Sequence, residues 1–349
     1  MAIDRRAFVL GTALLPMAAG ATRAGAGSVF AGARGLRGGG FALSAFEAGG
    51  GRLWDLDLPA RGHGLGLAPD GARLVLMARR PGDYGLIVSV ATGTVEAMLR
   101  PADGFRFNGH AVFSPDGQRL FATATRVDDD SGWLLVFRDA GGWDAVDAWS
   151  THGTDPHELL WIDAGLVVAN GGLPEGKTPV DVREVETSIA VIDGSTGRLR
   201  RQIRPPAGLR TISLRHMARA SGKVFVAGQE QGKERGALPL LAAFDGRALR
   251  YFPPMSLAGY CGSVAASGDR VCVTSPVSGR ALVVDARDGR VMRTIEIADV
   301  CGAAADRSGE FMLTGGRGDV RRSDEDMSTR SEDSRWDNHL LALPPVREA

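Results

Sequence analysis

Apolar and polar positions alternate in short runs of four to eight residues along most of the chain, and turn-forming residues punctuate them. The stretch Gly109-His110-Ala111-Val112-Phe113-Ser114-Pro115-Asp116-Gly117 is typical: a brief apolar run closed by a Pro-Asp-Gly turn. Arg119–Ala124, Trp133–Phe137 and Ala145–Trp149 follow at similar spacing. Period-two patterning between Gly, Asp and Pro predicts β-strands joined by tight turns.

The pattern recurs as a unit of four strands. His63, His110, His157 and His216 each open the first strand of a unit, Cys261 and Cys301 hold the same position in two more, and His339 opens a last strand near the C-terminus. The seven anchors are separated by 47, 47, 59, 45, 40 and 38 residues. Spacings of that size are those of four-stranded propeller blades. Three strands precede His63, at 27–33, 40–46 and 51–58, and only one follows residue 338. Joined, they make a composite blade that leaves no open sheet edge. The expectation is an all-β, seven-bladed β-propeller whose last blade combines N-terminal strands with one C-terminal strand. Two stretches fit less well. Leu173–Thr187 reads as a charged rim insertion. Arg317–Arg335 has little apolar periodicity and reads as a mobile loop with one edge strand near Asp319–Arg321.

Composition changes this picture little. Glycine is abundant, at 48 of 349 residues, as dense turns require. Lys+Arg and Asp+Glu both number 41, so charge points neither to nucleic acid nor to a membrane surface. The start does add something. Arg5-Arg6 precedes an apolar run from Phe8 to Ala19 and then small residues. This reads as a twin-arginine export signal over 1–26, with a single domain over 27–349 and a periplasmic destination. A general secretory signal or an amphipathic start would show similar features. The run is too short for a permanent membrane span.

In a propeller the innermost strands line the axis, so equivalent positions form a ring. Five of the six histidines fall on that ring, and only His152 lies off it. Imidazole and thiolate suit transition metals. The candidate ligands are therefore His63, His110, His157, His216, His339, Cys261 and Cys301, holding iron or copper. Not all seven could bind one ion. Asp155, Glu158, Arg215 and Asp299 are close enough in sequence to support them from behind. Other readings of the same residues are a purely structural polar ring, a Cys261–Cys301 disulfide, and a histidine acting as general base in a hydrolase or lyase. Cys272, mid-strand, reads as a small buried apolar residue.

Several motifs together, Gly109–Gly117, Asp155-Pro156-His157-Glu158-Leu159, Val168–Gly172, Leu214-Arg215-His216-Met217, Asp299-Val300-Cys301-Gly302 and Trp336-Asp337-Asn338-His339, resemble the bacterial periplasmic propellers of the domain-of-unknown-function 1513 family. The resemblance spans essentially the whole mature chain. It implies gene neighbours of the imelysin type and a di-haem oxidoreductase-like protein, and hence a role in iron uptake without a defined reaction. Imelysin-type or haem-containing proteins become candidate partners of a monomeric propeller, either for metal handling or for a scaffold that docks them. The sequence departs from the family after Gly172, where a His-Pro segment is usual, so any ligand from that loop is missing.

Overall fold

A computed structural model describes residues 27–173, 185–231 and 236–344. The expected export signal, most of the 173–187 insertion and the last five residues lie outside them. The described chain forms seven four-stranded antiparallel sheets. Blade 1 holds β4 (Gly62–Leu67) to β7 (Val95–Leu99), and blade 2 holds β8 (Phe105–Phe113) to β11 (Trp143–Thr154). Blade 3 runs from β12 (Pro156–Ile162) to β15 (Leu199–Ile203), and blade 4 from β16 (Ile212–Ala220) to β19 (Leu249–Tyr251). Blade 5 runs from β20 (Ser263–Ser267) to β23 (Val291–Glu296), and blade 6 from β24 (Val300–Ala305) to β27 (Thr329–Arg330). Blade 7 joins the C-terminal β28 (Ser334–Leu343) to β1 (Val29–Leu36), β2 (Phe41–Glu47) and β3 (Arg52–Leu58).

The ring closes by main-chain pairing of the two chain ends, Val29 opposite Leu343 and Ala31 opposite Leu341. Each blade's first strand, together with β28, touches its neighbours in a closed circuit around the axis. The apolar faces meet in seven separate clusters, one in each seam between blades. Between blades 2 and 3, for example, Phe121, Leu134 and Val136 pack on Leu159, Leu166 and Ile192. Each blade has two buried faces, which explains near-continuous apolar runs such as Leu166–Ala169 in its second strand.

One expectation needs correction. The 317–335 stretch holds the edge strand expected near Asp319–Arg321, as β26 (Asp319–Arg322), but a second strand, β27 (Thr329–Arg330), pairs with it where only loop was expected, and the two complete blade 6. Its polar sequence reflects an outer edge that buries little. Among the described residues no helix is long and apolar enough to cross a membrane.

Candidate metal centre

The histidines occupy irregular points of the inner strands. The pairing of β4 with β5 shifts between Gly62 and Leu65, around His63. β8 shifts against β9 between Phe107 and Ala111, β12 against β13 between Pro156 and Leu159, and β16 against β17 between Leu214 and His216. β28 shifts against β1 in the segment holding His339, between the partners Trp336 and Leu340. Such bulges bend a strand and re-aim a side chain, here toward the axis. Close approach of blades 1 and 2 depends on glycine. A Cβ at Gly64 would collide with the Gly109 carbonyl, and Gly109 itself has φ +97°.

Five imidazoles converge. His110 is central, with ring centroids 5.1 Å from His63, 4.6 Å from His157, 6.2 Å from His216 and 4.7 Å from His339. The other four close a circuit around it: His63–His157 6.1 Å, His157–His216 4.9 Å, His216–His339 5.0 Å and His339–His63 4.6 Å. All five are buried. Nitrogens of His63, His110 and His157 lie within 4.8 Å of one another, and so do those of His110, His216 and His339.

Burial, the largest effect, pushes His110, His157 and His216 well below the ordinary imidazole range, and neighbouring imidazoles and arginines add to it. His339 falls to about 3 for the same first reason. These rings are therefore neutral at physiological pH, the state a metal requires.

Their supports differ from one another. His63 Nδ1 lies 2.7 Å from Asp337 Oδ1, and Arg61 donates to the other Asp337 oxygen at 2.5 Å. Burial raises the Asp337 carboxyl, but the His63 hydrogen bond and the His63 and Arg61 charges outweigh it and hold the group well below the carboxylate range. Arg215 donates to Asp155 at 3.0 Å and faces His157 Nδ1 at 3.4 Å, while Arg80 pairs with the second Asp155 oxygen. Glu158 accepts the Met217 amide at 2.8 Å and stands 3.7 Å from His216 Nδ1. Asp155, Arg215 and Glu158 thus lie where the sequence suggested. Asp299 does not: it is exposed on the rim, near Arg317 and Arg61.

Asp337, Arg61 and Arg80 escaped the sequence reading. A signal for Asp337 existed, because an aspartate stands two residues before His157, before Cys301 and before His339.

The cysteines do not join the ring. All three are free, buried thiols. Cys261 packs with Ile212, Phe225 and Val273 in the seam between blades 4 and 5. Cys301 packs with Phe30 and Trp336 between blades 6 and 7, its Sγ 3.3 Å from the carbonyls of Trp336 and Asp337. Cys272 is buried between blades 5 and 6, as expected. Burial pushes the Cys261 and Cys272 thiols to about 12 and Cys301 higher still, which disfavours the thiolate a metal needs.

The family of unknown function designated DUF1513 matches residues 56–343. The chain belongs to that family. Among solved structures the fold resembles Kuenenia stuttgartiensis hydrazine synthase, at 13% identity and a TM-score of 0.62, over 83% of this chain and 89% of that one. It also resembles BamB from Moraxella catarrhalis, at 13% identity and a TM-score of 0.54, over 89% of this chain and 90% of that one. At such identity the likeness is one of fold. No curated protein matches by sequence.

Proposed function

We propose that this DUF1513 propeller binds a transition-metal ion on its axis and serves iron or copper handling outside the cytoplasm. One observation carries the reading. His110 Nε2, His339 Nε2 and both ring nitrogens of His216 are buried and have no hydrogen-bond partner among the described residues, and these three histidines form one of the two ligand-distance groups. Each buried polar atom left unsatisfied costs about 1–3 kcal/mol, so four of them weigh heavily against a domain stability of about 5–15 kcal/mol. A shared cation would satisfy one nitrogen on each of the three rings, leaving the second nitrogen of His216 as its N–H side.

The donor chemistry fits. The convergent groups are imidazoles, four of them held neutral by burial, and they suit copper and iron and suit calcium or magnesium poorly. His110, His216 and His339 would hold the ion, with His63 and His157 beside them, oriented by Asp337 and Arg215. A metal held there would supply Lewis-acid or one-electron chemistry. The twin-arginine start and the family's iron-linked gene neighbours support the export and iron parts of the reading.

The competing reading is a docking scaffold for imelysin-type or haem proteins, with a purely structural ring. It is favoured by the ties of His63 and His157 to charged groups of adjacent blades, which would fix the ring without an ion. Metal analysis of natively exported protein separates the two. Near-stoichiometric iron or copper, lost in His110→Ala, is expected; less than about a tenth of an equivalent of any transition metal, unchanged in that variant, would refute the metal reading.

A further inference from the structure

A cavity of about 510 Å³ opens in the seam between blades 6 and 7, lined by Arg37, Arg317, Arg330 and Arg335 and by one carboxylate, Glu332. The chain as a whole balances 41 basic against 41 acidic residues, so a local excess of guanidinium is not a matter of composition. Nearby arginines are paired: Arg270 on blade 5 with Glu310 at 2.8 Å, and Arg322 on blade 6 with Asp306 at 2.7 Å. Around the cavity Glu332 pairs only with Arg37, at 3.2 Å, with both side chains largely exposed. Among the described residues no carboxylate lies within ion-pair distance of Arg317, Arg330 or Arg335; the nearest influence is Asp299, behind Gly316, whose carboxyl feels Arg317.

The blade 6 wall is fixed by hydrogen bonds to main-chain carbonyls. Gly318 N donates to Gly315 O at 2.9 Å, Ser331 N to Gly318 O at 3.0 Å, and Arg330 Nε to Arg317 O at 3.1 Å. The 315–318 turn and the Arg330 guanidinium are thus fixed on blade 6, and the exposed Arg37 and Arg335 line the same concavity from the closing blade.

We propose that this cavity is a binding site for a small, multiply charged oxyanion, a polycarboxylate or an oligophosphate. Planar guanidiniums match carboxylate and phosphate oxygens two at a time. The volume suits a small molecule, and the concave, local distribution of charge differs from the extended basic stripe that nucleic acid requires. The ligand would bridge the closing blade, through Arg37 and Arg335, to blade 6, through Arg317 and Arg330. Binding therefore also stabilises the seam at which the two chain ends meet. This inference stands apart from the histidine centre and does not depend on a metal.

Calorimetry and thermal melting of the purified protein test it, with tricarballylate and pyrophosphate as probes and sodium chloride at matched ionic strength as reference. Saturable binding is expected, with a rise of several degrees in melting temperature beyond the chloride reference. Arg317→Gln should weaken binding about tenfold, and Arg317→Gln with Arg335→Gln should abolish it. Arg219→Gln, on the opposite rim, should leave it unchanged and controls for general charge loss. A response to one probe alone assigns the carboxylate or the phosphate class. A melting response no greater than that of chloride for both probes, or full binding in the double variant, overturns the proposal.

Discussion

Blades 1 to 4 and 7 present histidine at the position where blades 5 and 6 present cysteine, yet the two groups send that side chain to different places. The histidines turn to the axis and the cysteines sink into the seams. A bulge alone does not explain this, because β24 also shifts against β25, between Val300 and Gly302, at Cys301. The chemistry of the side chain decides. A thiol behaves as a small apolar group that an apolar seam accommodates. An imidazole carries two polar nitrogens, which an apolar seam cannot pair, whereas the axis gives His63 the Asp337 carboxylate and brings His157 beside Arg215. β20 lacks a bulge altogether and begins after Cys261, so nothing redirects that residue. Equivalent positions in a repeat therefore share a backbone address without sharing a role.

The sharpest way to test this division is acid. His110, His157, His216 and His339 have folded-state values below the ordinary 6.5, so the unfolded chain binds more protons once the pH falls under that value. Their stabilising contribution is complete above pH 6.5 and declines as the pH drops, that of His339 being exhausted as the pH passes through about 3. With four such groups the slope approaches about 5 kcal/mol per pH unit in the acid range. Denaturant melts of metal-free protein between pH 7 and pH 4.5 should show this steep loss. A flat profile would mean that the rings are not held neutral, and the contrast with the cysteine blades would disappear.

Next in size is the charged support of the histidine blades. Asp155 and Arg215 are both buried, and Asp155→Asn leaves the guanidinium with only a neutral partner; a loss of about 3–5 kcal/mol is expected by chemical denaturation. Asn tolerates the positive φ of 51° at this position, so backbone strain does not confuse the result. Asp337→Asn should cost less, about 2 kcal/mol, because its partner Arg61 is half exposed and falls back on water.

Then comes binding. His110→Ala should lower affinity for added Cu(II) or Fe(II) by about a hundredfold in competition titrations, since His110 belongs to both ligand-distance groups. Cys301→Ala, at the same repeat position, should leave that affinity unchanged and cost about 1 kcal/mol of stability through lost packing. If Cys301→Ala removed the metal as well, the assignment of the thiol to the seam would fail. The smallest effect is expected for Asp299→Asn, under about 0.5 kcal/mol, because the residue sits exposed on the rim.

Much of this was legible beforehand. The repeat anchors placed all seven blades, and the imbalance of three strands before His63 against one after residue 338 placed the closure. The five ring histidines, Asp155, Glu158 and Arg215 were also identifiable. The outermost strand of blade 6 was obscured because β27 is two residues long and carries no apolar side chain to set a period. Asp337 was obscured because its partners, His63 and Arg61, lie more than 270 positions away.

Sequence by itself determined the number of blades, their order and the way the circle is shut, since those follow from local periodicity and from the count of strands at each end. Tertiary structure alone decided which ring positions face the axis and which carboxylate backs which imidazole. Side-chain direction at a bulge depends on the partner strand and on the blade beyond it, and the linear pattern of residues encodes neither.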